Sequence, residues 1–260
     1  MIIQLEANIA AGKSTLAAAL SKQGCGPVVE EHISPDFLAL FYSDPATYGF
    51  AFQTYMLSVR MSDLTGIGHH AGVIDRGLMG DYVFARNSQR LGTISTREFE
   101  VYKTLLNRRS LCRQPDVIVY LHRTPAACLA SARGRSREAE AGVGLDYLSS
   151  LDVSHFDTMM QWAMGDLAVL GPCPPIIIQP WEQFGTADDV LVAINDLDGG
   201  GARDIVRVGI DSPDTIRSND GLDEVHVGNI SIRWGMEHTA AYRELVMQCL
   251  IAKHTVTFVV

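Results

Sequence analysis

The chain has little positive charge to spare. Lysine and arginine total 21 against 30 aspartate and glutamate, a formal net charge of −9. A surface that acidic excludes a protein that coats nucleic acid or lies on an anionic membrane, since both need a field of cations. An anionic small molecule would therefore have to be met by a local basic cluster. No apolar run approaches the roughly 20 residues of a membrane span, and the apolar stretch starting at Met1 leaves no room for a targeting peptide. The expectation is a cytoplasmic protein with no membrane partner and no nucleic-acid partner. The five cysteines (Cys25, Cys112, Cys128, Cys173 and Cys249) are odd in number and show no Cys-x-x-Cys spacing, which fits buried thiols in a reducing compartment. His69-His70, His155 and His254 likewise lack metal-ligand spacing. With 47% hydrophobic and 20% charged residues the composition is that of a folded domain, which excludes wholesale disorder.

Short apolar strands alternate with helical patterns. Met1–Leu5, Pro27–Val29, Gly72–Ile74, Pro115–Leu121 and Pro175–Gln179 read as strands, and Pro115–Leu121 is the clearest buried one. Residues 36–62 are aromatic-rich and helical, with Pro45 marking a break, and 145–169 and 188–197 are helical in pattern. Strand and helix in alternation predict an α/β fold, a doubly wound parallel sheet with helices on both faces. After Leu197 the character changes at Gly199-Gly-Gly201. Strand-like stretches at 204–210, 225–234 and 255–260 flank a helical pattern at 237–253. The division expected is a catalytic domain over 1–198 and a C-terminal extension of unknown role over 199–260.

The segment Ala7-Asn8-Ile9-Ala10-Ala11-Gly12-Lys13-Ser14-Thr15 stands between the first strand and a run of helix formers. This is the context of a phosphate loop: successive N–H groups and a helix N-terminus offer positive charge to phosphate oxygens. Lys13 reaches the outer phosphates and the Ser14 hydroxyl can ligate Mg²⁺. The pattern asks for glycine at position 7, where this chain has alanine. A GTPase would need an Asn-Lys-x-Asp signature, but no Asn-Lys dipeptide occurs. A motor-type ATPase would need a hydrophobic strand ending in Asp-Glu, which is also missing. Small-molecule kinases remain.

Four motifs in order, Leu5–Thr15, Phe52-Gln-Thr-Tyr55, Asp75-Arg76 and the Arg135–Leu148 stretch, resemble the deoxynucleoside kinase family over roughly residues 1–195. The likeness is to its deoxycytidine, deoxyguanosine and deoxyadenosine kinase branch. It implies a P-loop kinase that moves the γ-phosphate of ATP, or another nucleoside triphosphate, to the 5′-hydroxyl of a deoxynucleoside, with Mg²⁺, and a homodimer. It places Glu31 as general base, with Glu30 an adjacent competitor, because Glu30 and His32 stand where the family has prolines. By the same resemblance Arg76 holds that glutamate and the transferring phosphate, and Asp75 helps to hold Mg²⁺. Gly77 replaces a serine of the family pattern.

Gln53, Met56 and Arg60 are spaced to share one helix face, and polar groups on an apolar helix need partners. The resemblance assigns Gln53 to the base edge, Phe52 and Phe84 to the base plane, Arg60 and Asp81 to base recognition, and Tyr42 to the sugar 3′-hydroxyl. Arg135 and Arg137 are expected to clamp phosphates from a lid, with Glu140 on the 3′-hydroxyl. They would be the basic cluster that an acidic chain needs. Ser131 stands where a relative carries an arginine on the donor base. Two other readings are a thymidylate-type monophosphate kinase, which needs further cations for the acceptor phosphate, and a catalytically silent nucleotide-binding protein.

Overall fold

The computed structural model describes residues 1–67, 70–135, 142–163, 165–195 and 197, and the backbone of five strands between residues 205 and 259. Strand β1 (Ile2–Ala7) is buried along its whole length and forms the centre of the sheet. β3 (Gly72–Asp75) lies parallel on one side of it and β4 (Val117–His122) on the other. β2 (Val28–Val29) adds in parallel outside β3, and β5 (Ile176–Pro180) outside β4. The chain thus winds to one side of β1 and then to the other, giving the order β2-β3-β1-β4-β5. The loops leaving β1, β2 and β3 then border a crevice at the carboxyl ends of the strands.

Alternation along the strands separates two cores. On one face Ile2, Ile74, Ile118, Tyr120 and Ile176 pack against α3 (Pro45–Gly66), α4 (Leu78–Arg90), α5 (Thr96–Leu106) and α7 (Leu145–Ala163). On the other, Ile3, Leu5, Val73, Val119 and Ile177 meet α1 (Lys13–Leu20), α6 (Pro125–Arg135) and α8 (Ala187–Asn195). Each such isoleucine or leucine contributes about 1.5–3 kcal/mol, so these strands bind the layers together. Gln4 and Glu6 share the face of Ile2, and both are buried.

The aromatic stretch expected as one broken helix is two. Ser34 caps α2 (Pro35–Ser43), and Asp44 ends it and caps α3, whose first residue is Pro45. Helix α7 stops at Ala163, short of the expected 169, and Gly165 turns the chain in a left-handed conformation. Beyond Leu197, β10 (Thr255–Val259) adds antiparallel to β5, and β6 (Ile205–Gly209) parallel to β10. β7 (Ile216–Arg217), β8 (Asp223–Val227) and β9 (Ile230–Arg233) form a separate antiparallel sheet. Gly199–Gly201, Cys249 and the 237–253 stretch lie outside the described residues. No helix among the described residues is long and apolar enough to cross a membrane.

Candidate active site

A cleft of about 290 Å³ opens at the carboxyl ends of β1, β2 and β3, and residues 9–15 line one end of it. Ala7 is the last residue of β1, in register with Leu121, and its carbonyl accepts from Arg76 Nη2 at 3.3 Å. Alanine at position 7 is therefore ordinary strand. The left-handed residues of the loop are Ala10, at φ 60°, and Gly12, at φ 94°. Asn8 is fully buried outside the cleft. Its amide donates to the Leu148 carbonyl at 2.9 Å and its Oδ1 accepts from Ile9 N, so it ties the loop to α7. Ala11 and Gly12 lead into α1, whose unpaired N–H groups begin at Lys13, Ser14 and Thr15.

Ser14 Oγ donates to Asp75 Oδ2 at 2.5 Å, and Lys13 Nζ lies 3.9 Å from Asp75 Oδ1. That Oδ1 is buried with no hydrogen-bond donor. Two hard oxygens beside a phosphate loop, one of them unsatisfied, fit Mg²⁺, which takes one or two protein oxygens and fills its sphere with phosphate and water.

Across the cleft, Glu31 Oε1 lies 2.8 Å from Arg76 Nε and accepts from Arg60 Nη2 at 3.0 Å. Burial alone would raise the Glu31 carboxyl, but the charges of Arg76, Arg60 and Lys13 outweigh it and pull it down to about 2. Glu30, next to it, is exposed, and His32 turns outward to Asp63 at 3.1 Å. Arg76 itself is left-handed, at φ 72°, and its guanidinium carbon stands 4.6 Å from the centre of the Phe84 ring.

Arg60 does not line the cleft. It is 2% exposed and bridges two acids, reaching Asp81 through Nε at 3.2 Å and Glu31 through Nη2. Asp81, Gln53, Met56, Phe52, Phe84 and Tyr42 do line the cleft. Phe41 stacks on Phe52 with centroids 4.9 Å apart, and Tyr42 tilts against Phe41, so α2 and α3 supply an apolar wall. Gln53 is buried, and its Nε2 has no hydrogen-bond partner. An orphaned amide at the cleft wall is a recognition group waiting for a ligand.

At the phosphate end Arg135 lines the cleft from the last residue of α6. Arg137 and Glu140 lie outside the described residues. Arg123 donates to Ser131 Oγ at 2.6 Å, and its guanidinium carbon is 4.1 Å from the centre of the Phe184 ring.

The sequence reading missed Gln4, Glu6, Phe41 and Tyr147. Two polar residues at alternate positions of an otherwise apolar strand were the available signal for Gln4 and Glu6. The density of aromatics between 36 and 62 was the one for Phe41. Tyr147, in the first turn of α7, gave none.

A phosphate loop facing an ionised glutamate held between two arginines, at the switch point of a doubly wound sheet, defines the class: a P-loop kinase. The chain belongs to the deoxynucleoside kinase family, whose model matches residues 3–190. It is 31% identical over 202 residues to deoxyguanosine kinase of Dictyostelium discoideum, which spans 75% of this chain and 68% of that protein. Deoxyadenosine kinase of the same organism is 37% identical over 153 residues, 57% of this chain and 62% of the relative. A deoxyadenosine kinase from M. mycoides with bound dATP superposes with a TM-score of 0.64 at 21% identity, covering 76% of this chain and 100% of that one. That likeness speaks for the fold.

Proposed function

We infer that this protein transfers the γ-phosphate of ATP to the 5′-hydroxyl of a deoxynucleoside. The observation that carries the reading is the position of Glu31. It sits between Arg60 and Arg76, in the same cleft as Lys13 and the phosphate loop. Both arginines meet Oε1, which leaves Oε2 for the substrate hydroxyl. A carboxylate held at about 2 is ionised throughout the physiological range and is a weak base. It suits a loose phosphoryl-transfer transition state, in which the hydroxyl becomes acidic only as its bond to phosphorus forms. Arg76 then spans the base and the phosphoryl group. Ser14 and Asp75 would hold Mg²⁺, which supplies neutralisation of phosphate charge when bound.

The cations lining the cleft, Lys13, Arg76 and Arg135, include none from α2 or α3, the base-side wall. Among the described residues there is thus no second phosphate site of the kind a monophosphate kinase needs. At the base edge, Gln53 offers both an amide donor and a carbonyl. Asp81 offers a carboxylate already paired with Arg60. A base bearing an exocyclic amino group can donate to Asp81, whereas the thymine O4 would meet lone pairs with lone pairs. Deoxycytidine or a purine deoxynucleoside should therefore be preferred to thymidine. We extend the reading to a homodimer, on the family likeness alone.

The test is ADP release from ATP and Mg²⁺ with deoxycytidine, deoxyadenosine, deoxyguanosine, thymidine and their monophosphates. Release driven by nucleosides and not by monophosphates is expected. Thymidine as the best acceptor would overturn the base assignment, and silence with every acceptor would overturn the activity.

A further inference from the structure

Beneath α4 lies a carboxylate that the reaction as described does not use. Glu6 is fully buried on the helix-facing side of β1. Its Oε1 accepts three N–H groups: the Gln4 amide at 2.9 Å, Gly77 N at 2.9 Å and Gly80 N at 3.1 Å. Gly77 is the residue before α4, and Gly80 is the third residue of the helix. Glu6 thus caps α4 from a neighbouring strand, a placement the helix dipole favours. Its other oxygen, Oε2, has no hydrogen-bond donor and lies 3.7 Å from Arg76 Nη1.

The surroundings were shaped for this approach. A Cβ at Gly80 would stand 2.5 Å from Arg76 Cγ and 2.5 Å from Glu6 Oε2, so only glycine lets the arginine stem cross the first helical turn beside the acid. Arg76 has a left-handed backbone, at φ 72°, which is unfavourable outside glycine. Something must hold it there. Its backbone N–H is taken by the Leu5 carbonyl and its Nη2 by the Ala7 carbonyl. Glu6 stands between those two residues and is the carboxylate that meets the guanidinium from β1; Glu31 meets it from the cleft, and Asp75 adds a weaker attraction.

We propose that Glu6 is a positioning residue for Arg76. It locks the start of α4 to β1 and steers the guanidinium to the point where it meets both Glu31 and the transferring phosphate. Glu6 does not touch substrate. The proposal rests on the kinase reading above.

The experiment is a double-mutant cycle. Glu6→Gln keeps an oxygen for the Gly77 and Gly80 N–H groups and removes the charge. It should lower kcat by about tenfold or more, the usual loss for a contact to a charged group, with KM for nucleoside and ATP within about threefold. Glu6→Asp should recover part of the loss. In an Arg76→Lys protein, Glu6→Gln should cost little further, because the two residues act as one unit. A full additive loss there, or an unchanged kcat with only a lower melting temperature, would overturn the proposal and leave Glu6 a helix cap. The Arg76 Nε–Hε resonance in the free protein gives a readout independent of turnover. It should shift and broaden in Glu6→Gln and sharpen again in Glu6→Asp. That signal distinguishes failure of the positioning role from failure of the kinase assignment, and an unmoved resonance counts against the former.

Discussion

Gln4 fills the space that a side chain at Gly77 would need. A Cβ built on Gly77 would run into the Gln4 carboxamide, which is 2% exposed and hydrogen-bonded to Glu6. Glycine where serine is expected is therefore the partner of a long amide on the facing strand. The departure from the family pattern at Gly77 thus has its physical counterpart in Gln4.

It follows that Gly77→Ser should destabilise the protein by about 1–3 kcal/mol, as overpacking does. Most of that loss should vanish when Gln4→Ser is made in the same chain. Urea unfolding of the single and double variants measures it. Strictly additive losses would show that the positions do not share a volume.

Glu31→Gln should leave ATP affinity intact while slowing turnover about a hundredfold or more. Glu30→Gln should leave turnover within about twofold, as surface changes do, because Glu30 is exposed and Glu31 carries both arginine contacts. Steady-state kinetics on the two variants decide between adjacent acids.

Acid should weaken the fold through His155. The ring is fully buried, its Nδ1 donates to the Leu151 carbonyl at 2.9 Å, and its Nε2 has no partner. Burial, with the nearby Arg76 charge, drops it to about 3 from an ordinary 6.5. Between those values the unfolded chain binds a proton that the folded one refuses. Stability therefore falls as pH drops from 6.5 toward 3, by about 1.4 kcal/mol per unit from this group. Glu31 acts in a lower window. Its contribution is complete above 4.5 and is lost as pH falls toward about 2. Unfolding free energies at pH 7, 6 and 5 for the parent and for His155→Gln should converge as pH falls, and parallel curves would rule the histidine out.

Replacing Arg60 with Met and Asp81 with Ala together should raise the kcat/KM of thymidine relative to deoxycytidine by about tenfold or more, since a buried polar group left unpaired is what rejects the wrong base. The same variant should lose turnover with every nucleoside. Arg60 also holds Glu31, so preference and rate are coupled through one guanidinium. A shift in preference at full rate would contradict the bridge.

We propose that the catalytic unit ends near residue 198 and that the remainder is an appendage lending one strand pair to its sheet. Ending the chain at Leu197 would bare the edge of β5, which β10 covers in the register Val256↔Ile178. Phosphoryl transfer should persist, with concentration-dependent association through the exposed edge. Light scattering beside an activity assay tests both halves. An inactive, unfolded product would make the extension part of the core.

Much of this was legible because it is local. The phosphate loop is a contiguous run whose glycine, lysine and serine need no distant partner to be recognised. The five central strands announce themselves as short apolar runs between helical patterns. What stayed hidden depends on which strand lies beside which. Helical spacing put Arg60 on the face of Gln53 and Met56, but not between Glu31 and Asp81, since those carboxylates arrive from the loop after β2 and from α4. Glu6 lies past the expected strand end at Leu5, and its partners Gly77 and Gly80 come from the turn after β3 and from α4. Ala7 looked like a defect in the loop because the pattern counts position 7 as loop, whereas here it is the end of β1.

The left-handed backbones of Ala10 and Arg76 carry one further consequence. Neither residue is glycine, so each is held in an unfavourable shape that the rest of the domain must support. A screen for heat-resistant variants would be drawn early to Ala10, where glycine relaxes the backbone, but would keep Arg76, whose loss would leave the Glu6 and Glu31 carboxylates buried without it. The winners at Ala10 would be sturdier proteins with a looser phosphate loop.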